Sequence, residues 1–307
     1  MNAPRREKRD VHGWLILDKP IGKTSTTAVA ILKRLSGAKK VGHAGTLDPL
    51  ASGVLPIAFG EATKTVSFAM DGRKVYRFNV RWGVETNTDD SEGKPVSTSD
   101  GRPSPDSINA VLARFTGTIE QTPPHFSALK IGGERAYDLA REGEVVSLAP
   151  RTIEVHRLTL VGTPDADHAV FEAECGKGTY VRALARDMGR ALGCLGHVCE
   201  LRRTQVGSFT EKDSITIEAI ERIAQSGPDA LSAALLPVQS SLDGVPAVSV
   251  SRADADRLVL GQAVLLRGRD APVMGGIVSV SAQGSLIALA EIEQGSLHPR
   301  RIFHLPR

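Results

Sequence analysis

Between Lys74 and Trp82 apolar and polar residues alternate, with Tyr76, Phe78, Val80 and Trp82 on one face and Arg77, Asn79 and Arg81 on the other. A period of two predicts a half-buried strand. The apolar run Trp14 to Leu17, stopped by Asp18-Lys19-Pro20, predicts a strand entering a turn. A helical period follows at Ala28, Ile31, Leu32 and Leu35, with Ser25 or Thr26 placed to cap its start and Gly37 to end it. Three glycines and two prolines interrupt the stretch from Gly42 to Pro56, which reads as an irregular but well-packed loop centred on Asp48. Pro49 steers Asp48 to an extended or turn conformation.

Glu85 to Arg102 is polar and reads as turns and loop. Ser104-Pro105 then opens a helix whose inward face is Ile108, Val111, Leu112 and Phe115, stopped by Gly117. Residues 121–143 carry Pro123-Pro124 and scattered basic residues and read as an exposed arm. Strands are expected at Ile153 to Val161 and Ala169 to Cys175. Tyr180 to Leu192 predicts a helix with Thr179 as cap, and Ile217 to Gln225 a further one. Beyond Asp243-Gly244 short β-like runs separated by glycines take over. Together these predict an α+β protein: a large catalytic domain over 1–243 with a mixed β-sheet and surrounding helices, and a small β-rich domain over 244–307.

Composition narrows this only a little. The chain has 307 residues, 41% of them hydrophobic, enough for a substantial core, and a net charge of +3 that supports nucleic-acid binding only weakly. Three cysteines without a Cys-x-x-Cys pair suggest neither a disulfide framework nor a metal site. No apolar run is long enough to span a bilayer and no secretory region follows the basic N-terminus, so a cytoplasmic location is expected.

Asp48 alone is weak evidence for chemistry, because most Asp-Pro turns use the carboxylate locally. Arg182, in the first turn of the helix from Tyr180, is more informative, since the positive end of the helix dipole disfavours a cation there unless it has a partner. An aspartate is one such partner. The alternative is a solvated basic stripe with Arg186 and Arg190. Gly22-Lys23-Thr24 ends like a phosphate-binding loop, but Leu17 stands where that motif requires its first glycine.

Ordered motifs along nearly the whole chain resemble the TruB family of tRNA pseudouridine synthases. They are Gly-Trp-Leu-Ile-Leu-Asp-Lys-Pro at 13–20, Lys-Val-Gly-His-Ala-Gly-Thr-Leu-Asp-Pro-Leu-Ala-Ser-Gly-Val-Leu-Pro at 40–56, and Gly-Glu-Ala-Thr-Lys at 60–64. Gln-Thr-Pro-Pro-His-Phe-Ser-Ala-Leu-Lys at 121–130, Arg-Ala-Tyr at 135–137 and Gly-Thr-Tyr-Val-Arg-Ala-Leu-Ala-Arg-Asp at 178–187 continue the series. The resemblance implies isomerisation of uridine to pseudouridine in tRNA, usually uridine 55 of the TψC arm, by a monomer that uses no cofactor or metal.

The resemblance also implies roles for residues. Asp48 matches the catalytic aspartate, Arg182 its paired arginine, and Tyr76 the residue stacked on the target base. Tyr180 and Leu201 match the walls of the uridine pocket, and His43 an RNA contact beside the flipped nucleotide. Lys19-Pro20 matches a structural signature, while Lys64, Lys130, Arg135 and Arg141 are expected phosphate contacts. His125-Phe126 departs from the family's Pro-Pro-x-Tyr-Ser-Ala pattern, keeping a ring but losing a hydroxyl. The segment from about Val245 resembles a PUA-like domain that reaches the acceptor stem, so its deletion is expected to raise KM more than it lowers turnover. A tRNA-binding or folding protein with secondary or no isomerase activity is the alternative from another functional class.

Overall fold

The computed structural model describes residues 8–127, 130–131, 134–135, 148–266 and 275–306. Among these residues no helix is long and apolar enough to cross a membrane. The predicted first strand is β1 (Gly13–Lys19), buried except at Asp18. Next come β2 (Val41–His43), β3 (Ala51–Phe59) and β4 (Lys74–Trp82), the last burying Phe78, Val80 and Trp82 as its alternation requires. β5 (Val84–Thr86) pairs with β6 (Pro95–Thr98) as a hairpin. After β7 (Gly117–Gln121), the two-residue strands β8 (Lys130–Ile131) and β9 (Glu134–Arg135) pair with each other. β10 (Arg151–Asp165), β11 (His168–Cys175), β12 (Gly196–Val206), β13 (Phe209–Thr210) and β14 (Ser214–Ile215) complete the first region.

The large sheet runs β14, β1, β3, β12, β4, β11, β10, β7, with β2 joined to β3 and β13 to β12. It is mixed: β1 and β14 are parallel, as are β3 and β12, and the other pairs are antiparallel. The loop expected as far as Pro56 is shorter than that, because β2 and β3 occupy both its ends. Pro56 fits within β3 because β12 pairs only with Ala51 to Gly53 and β2 only with Ile57 to Phe59, so it lies in the gap between those partners.

Helices flank the sheet: α1 (Ser25–Ser36), α2 (Val66–Asp71), α3 (Pro105–Leu112), α4 (Val181–Ala191), α5 (Ile217–Gln225) and α6 (Pro228–Ala233). α1 is capped by Thr24, which accepts from the Thr27 amide at 3.0 Å, and not by Ser25 or Thr26. Ser25 is instead turned inward to another task. α4 starts at Tyr180 with no side-chain cap, and Thr179 donates to the Gly176 carbonyl at 3.3 Å. Its helical pattern was legible, whereas the residue that satisfies its start lies 59 positions away.

The second region is a five-stranded sheet of β15 (Ala247–Ser249), β16 (Val264–Leu265), β17 (Gly276–Ala282), β18 (Ser285–Glu293) and β19 (Ser296–Ile302), in the order β15, β17, β18, β19, β16. It also contains a helix that the sequence pattern did not predict, α7 (Arg252–Val259), which buries only Ala255 and Leu258. Two apolar positions are too few to show a period. Leu286, Leu289 and Phe303 leave this region to join a core shared with Trp14, Ile16, Ala44 and Val54 of the large sheet.

Candidate active site

The Asp48 segment is an overhang between β2 and β3, fastened from three sides. Leu47 and Leu50 are buried beneath it. Ser25 accepts from the Leu47 amide at 2.9 Å and donates to the Leu47 carbonyl at 3.1 Å, so one hydroxyl grips both backbone groups. The Gly22 amide donates to the Pro49 carbonyl at 2.8 Å. From below, Arg203 donates to the carbonyls of Gly45 at 3.0 Å, Thr46 at 3.4 Å and Val54 at 2.8 Å. The Asp48 side chain is left 36% exposed above this base.

Arg182 meets it. Its Nε lies 2.9 Å from Asp48 Oδ2, its Nη1 lies 3.3 Å from Asp90 Oδ2, and its side chain is only 6% exposed. Nη1 and Nη2 also donate to the carbonyls of Thr88 and Phe126, each at 2.8 Å. The solvated-stripe alternative therefore fails for Arg182, and for Arg186 as well. Arg186 is buried against Asp89 at 2.9 Å and Asp187 at 2.8 Å, and donates to the Thr122 carbonyl. Arg190 alone of the three is solvated, forked onto Glu85.

Glu85 to Arg102, expected as turns and loop, also carries the β5–β6 hairpin. Its turn buries Asp89 and Asp90, and Asp89 takes φ +61°, which aspartate tolerates better than most residues. Burial pushes the Asp89 carboxyl up to about 6 against the opposing charges of Arg186 and Arg182. Burial pulls Arg186 down, but Asp187 and Asp89 outweigh it and hold the guanidinium above its ordinary value. Asp89 stays raised because burial, aided by the like charge of Glu85, outweighs the two guanidinium groups.

A pocket of about 290 Å³ opens beside the ion pair, walled by Asp48, Tyr76, Tyr180, Arg182, Leu201 and Arg203. Strand register explains the grouping. Arg203 lies opposite Gly53 of β3 and Tyr76 of β4, while Leu201 lies opposite Ala51 and Phe78. Tyr76 and Arg203 are cross-strand neighbours, and burial raises the tyrosine's pKa against that cation. Burial also raises Tyr180. Tyr180 is held at the start of α4 by Gln121, whose side-chain oxygen accepts from its amide at 2.9 Å and whose nitrogen donates to its carbonyl at 3.1 Å.

Other expected residues lie apart. His43 ends β2 opposite Ile57 and is not a wall of the pocket. Lys64 is engaged within the protein: its Nζ lies 2.7 Å from Glu61 and from the Ile302 carbonyl, and 5.8 Å from the Phe303 ring centre. That places it at the junction with the second sheet, with its charge already paired. Lys130 and Arg135 are cross-strand neighbours in β8 and β9, and Arg141 lies outside the described residues. Lys19 is fully buried, donating to the carbonyls of Pro20 at 2.9 Å and Lys23 at 2.6 Å, and burial lowers it to about 8 against the field of Asp48.

Gly22-Lys23-Thr24 forms no phosphate cradle, since the Gly22 amide, the Lys23 carbonyl and the Thr24 hydroxyl are each used inside the protein. The residues that sequence reasoning missed are Arg203, Gln121 and the Asp89-Asp90 pair. One signal for Arg203 was available: in a strand, residues two apart share a face, and Leu201 was already assigned to the pocket.

A mixed sheet thus carries an arginine-paired aspartate over an aromatic-walled pocket, the grouping expected from the resemblance to pseudouridine synthases. Comparisons with known proteins agree. The chain matches the TruB family pseudouridylate synthase N-terminal domain over residues 33–181, the tRNA pseudouridylate synthase B C-terminal domain over 182–243, and the pseudouridine synthase II TruB C-terminal model over 246–303. It is 65% identical to tRNA pseudouridine synthase B of Rhodopseudomonas palustris, covering 98% of this chain and 83% of the relative. Identity to the synthase of Agrobacterium fabrum is 52%, covering 99% of this chain and 100% of the relative. Among solved structures it resembles a Cbf5-Nop10-Gar1 complex chain, with a TM-score of 0.73 and 25% identity over 95% of this chain and 85% of that one. This chain belongs to the TruB family of tRNA pseudouridine synthases.

Proposed function

We propose that the protein converts uridine 55 in the TψC arm of tRNA to pseudouridine, with Asp48 as the catalytic carboxylate. The reaction breaks the N1–C1′ bond, turns the base and joins C5 to C1′; C5 loses a proton and N1 gains one, so no oxidant or reductant is needed. The observation that carries the reading is the placement of Asp48. Its carboxylate is oriented by a buried arginine and opens onto a pocket walled by two tyrosines and a leucine.

A uridine can reach such a pocket only after leaving its stack, and aromatic rings are the side chains that replace lost base stacking. Tyr76 and Tyr180 supply them, and Leu201 supplies an apolar wall. Lys130, Arg135 and Arg141 belong to the segment assigned to the RNA backbone, and the second sheet to the acceptor stem. His43 sits at the base of the Asp48 overhang, in a position to meet RNA around the extruded nucleotide. The expected setting is the cytoplasm, with the protein acting as a monomer. Incubating the pure protein with an unmodified tRNA transcript and mapping pseudouridine tests the reading. Asp48→Asn serves as control. Pseudouridine at position 55 with wild type alone is the expected result; an active Asp48→Asn variant refutes the role of the carboxylate, and an inactive wild type refutes the reaction.

A further inference from the structure

Arg203 is 1% exposed, yet its hydrogen-bond acceptors among the described residues are neutral: the carbonyls of Gly45, Thr46 and Val54. A buried cation ordinarily has a carboxylate beside it, because desolvation without an opposite charge is costly. The carboxylate whose field reaches Arg203 is Asp48, and that group is already in contact with Arg182.

The backbone makes room for Arg203 at two points, for its main chain at Gly53 and for its guanidinium at Gly45. Gly53 has φ +99°, and a Cβ there would lie 2.2 Å from the Arg203 carbonyl oxygen. Gly45 has φ +94°, and its Cβ would lie 3.3 Å from Arg203 Nη1. Both glycines flank Asp48 in the chain. Of the two, the Gly45 clearance is the one that serves the guanidinium itself.

We propose that Arg203 is a positioning residue for the isomerisation: it locks the Asp48 overhang through its carbonyls and sets an unneutralised charge beside Tyr76, where that tyrosine faces the detached base. This inference rests on the reading of the pocket as the uridine site. When N1–C1′ breaks, the base carries the electron pair of that bond until C5 closes on C1′. Arg203 is the cross-strand neighbour of Tyr76 in the pocket wall, and the Tyr76 O–H is a donor available to such an anion. A cation behind that hydroxyl strengthens the donation, and the dry surroundings weaken its screening.

The test measures single-turnover rate and tRNA Kd separately on an unmodified transcript, for wild type, Tyr76→Phe, Arg203→Lys, Arg203→Gln and each Arg203 variant combined with Tyr76→Phe. Arg203→Gln keeps donors for the carbonyls without the charge, whereas Arg203→Lys keeps the charge with a different donor geometry. The expected result is a rate loss on the order of 100-fold for Arg203→Gln with Kd little changed, and a rate at least about tenfold higher for Arg203→Lys. This ranking should hold whichever variant melts higher. In the Tyr76→Phe background the Arg203 substitutions should cost little more, because both remove the same link.

Rates that simply follow melting temperature, losses confined to Kd, or fully multiplicative losses in the double variants would each overturn the proposal. So would failure of both Arg203 variants to fold, since no separable positioning role then exists. Either variant that folds suffices for the double-variant comparison. A wild type that makes no pseudouridine refutes the proposed function itself, a result distinct from all of these.

Discussion

Arg182 Nε lies 2.9 Å from Asp48 Oδ2, although one residue lies between β2 and β3 and the other in α4, 134 positions apart in the chain. The same guanidinium reaches Asp90 and the carbonyls of Thr88 and Phe126. It therefore ties the Asp48 overhang, the β5–β6 hairpin and the segment before β8 to the first turn of α4.

Asp48→Asn preserves the shape of this junction and should leave tRNA affinity near the wild-type value while lowering turnover by roughly 10⁴-fold. Arg182→Met removes the hub and leaves Asp90 buried without its cation, so it should cost about 3 kcal/mol of stability as well as activity. Urea unfolding and single-turnover assays on both variants separate the two effects. Equal destabilisation by both substitutions would contradict the hub role.

Gln121 holds the start of α4 by bonding both backbone groups of Tyr180. Gln121→Leu leaves that amide without its partner, while the carbonyl keeps the Leu184 amide at 3.1 Å, and should destabilise by about 2 kcal/mol. It should also raise KM for tRNA, because Tyr180 walls the pocket. Unchanged melting temperature together with unchanged KM would refute the clamp.

Phe303 packs in a core with Trp14, Ala44 and Val54, and Lys64 and Glu61 bind the backbone of Ile302 and His304. The expectation that deletion after Asp243 acts mainly through KM is therefore revised: truncation should destabilise the large sheet too. Phe303→Ala, a milder lesion, should cost about 3 kcal/mol through the cavity it leaves. Thermal melting of the truncated chain at the wild-type temperature would show the two regions to be energetically independent.

Asp89 imposes a pH dependence whose sign follows from its raised pKa of about 6, against an ordinary 3.8. Below 3.8 the carboxyl is protonated folded and unfolded; between 3.8 and about 6 the folded chain keeps a proton that the unfolded chain has released. The Asp89 contribution to stability thus falls as pH rises through this window, by at most about 3 kcal/mol. Urea midpoints at several pH values, wild type against Asp89→Asn, measure it. The wild type should lose ground to the variant with rising pH, and a gain would mean that the Arg186 contact outweighs desolvation.

What the sequence determined by itself was the local and the chemically distinctive: the alternation of β4, the helical faces of α1 and α4, the Asp-Pro turn, and motifs dense enough to name the family. Those signals are short-range, because periodicity, caps and turns act within a few residues. The tertiary structure decided which charges are neutralised and by what. Arg182 and Arg186 could not be told from a solvated stripe, since burial is a property of the packed surface and not of spacing. Ser25 could serve equally as helix cap or loop clamp, and only the approach of Leu47 selected the second. Lys64 resembled a phosphate contact until Glu61 and the backbone of Ile302 claimed it. Arg203 gained its meaning only from the register that sets it between Gly53 and Tyr76. Register is fixed by pairing strands distant in the chain, and no local pattern records it.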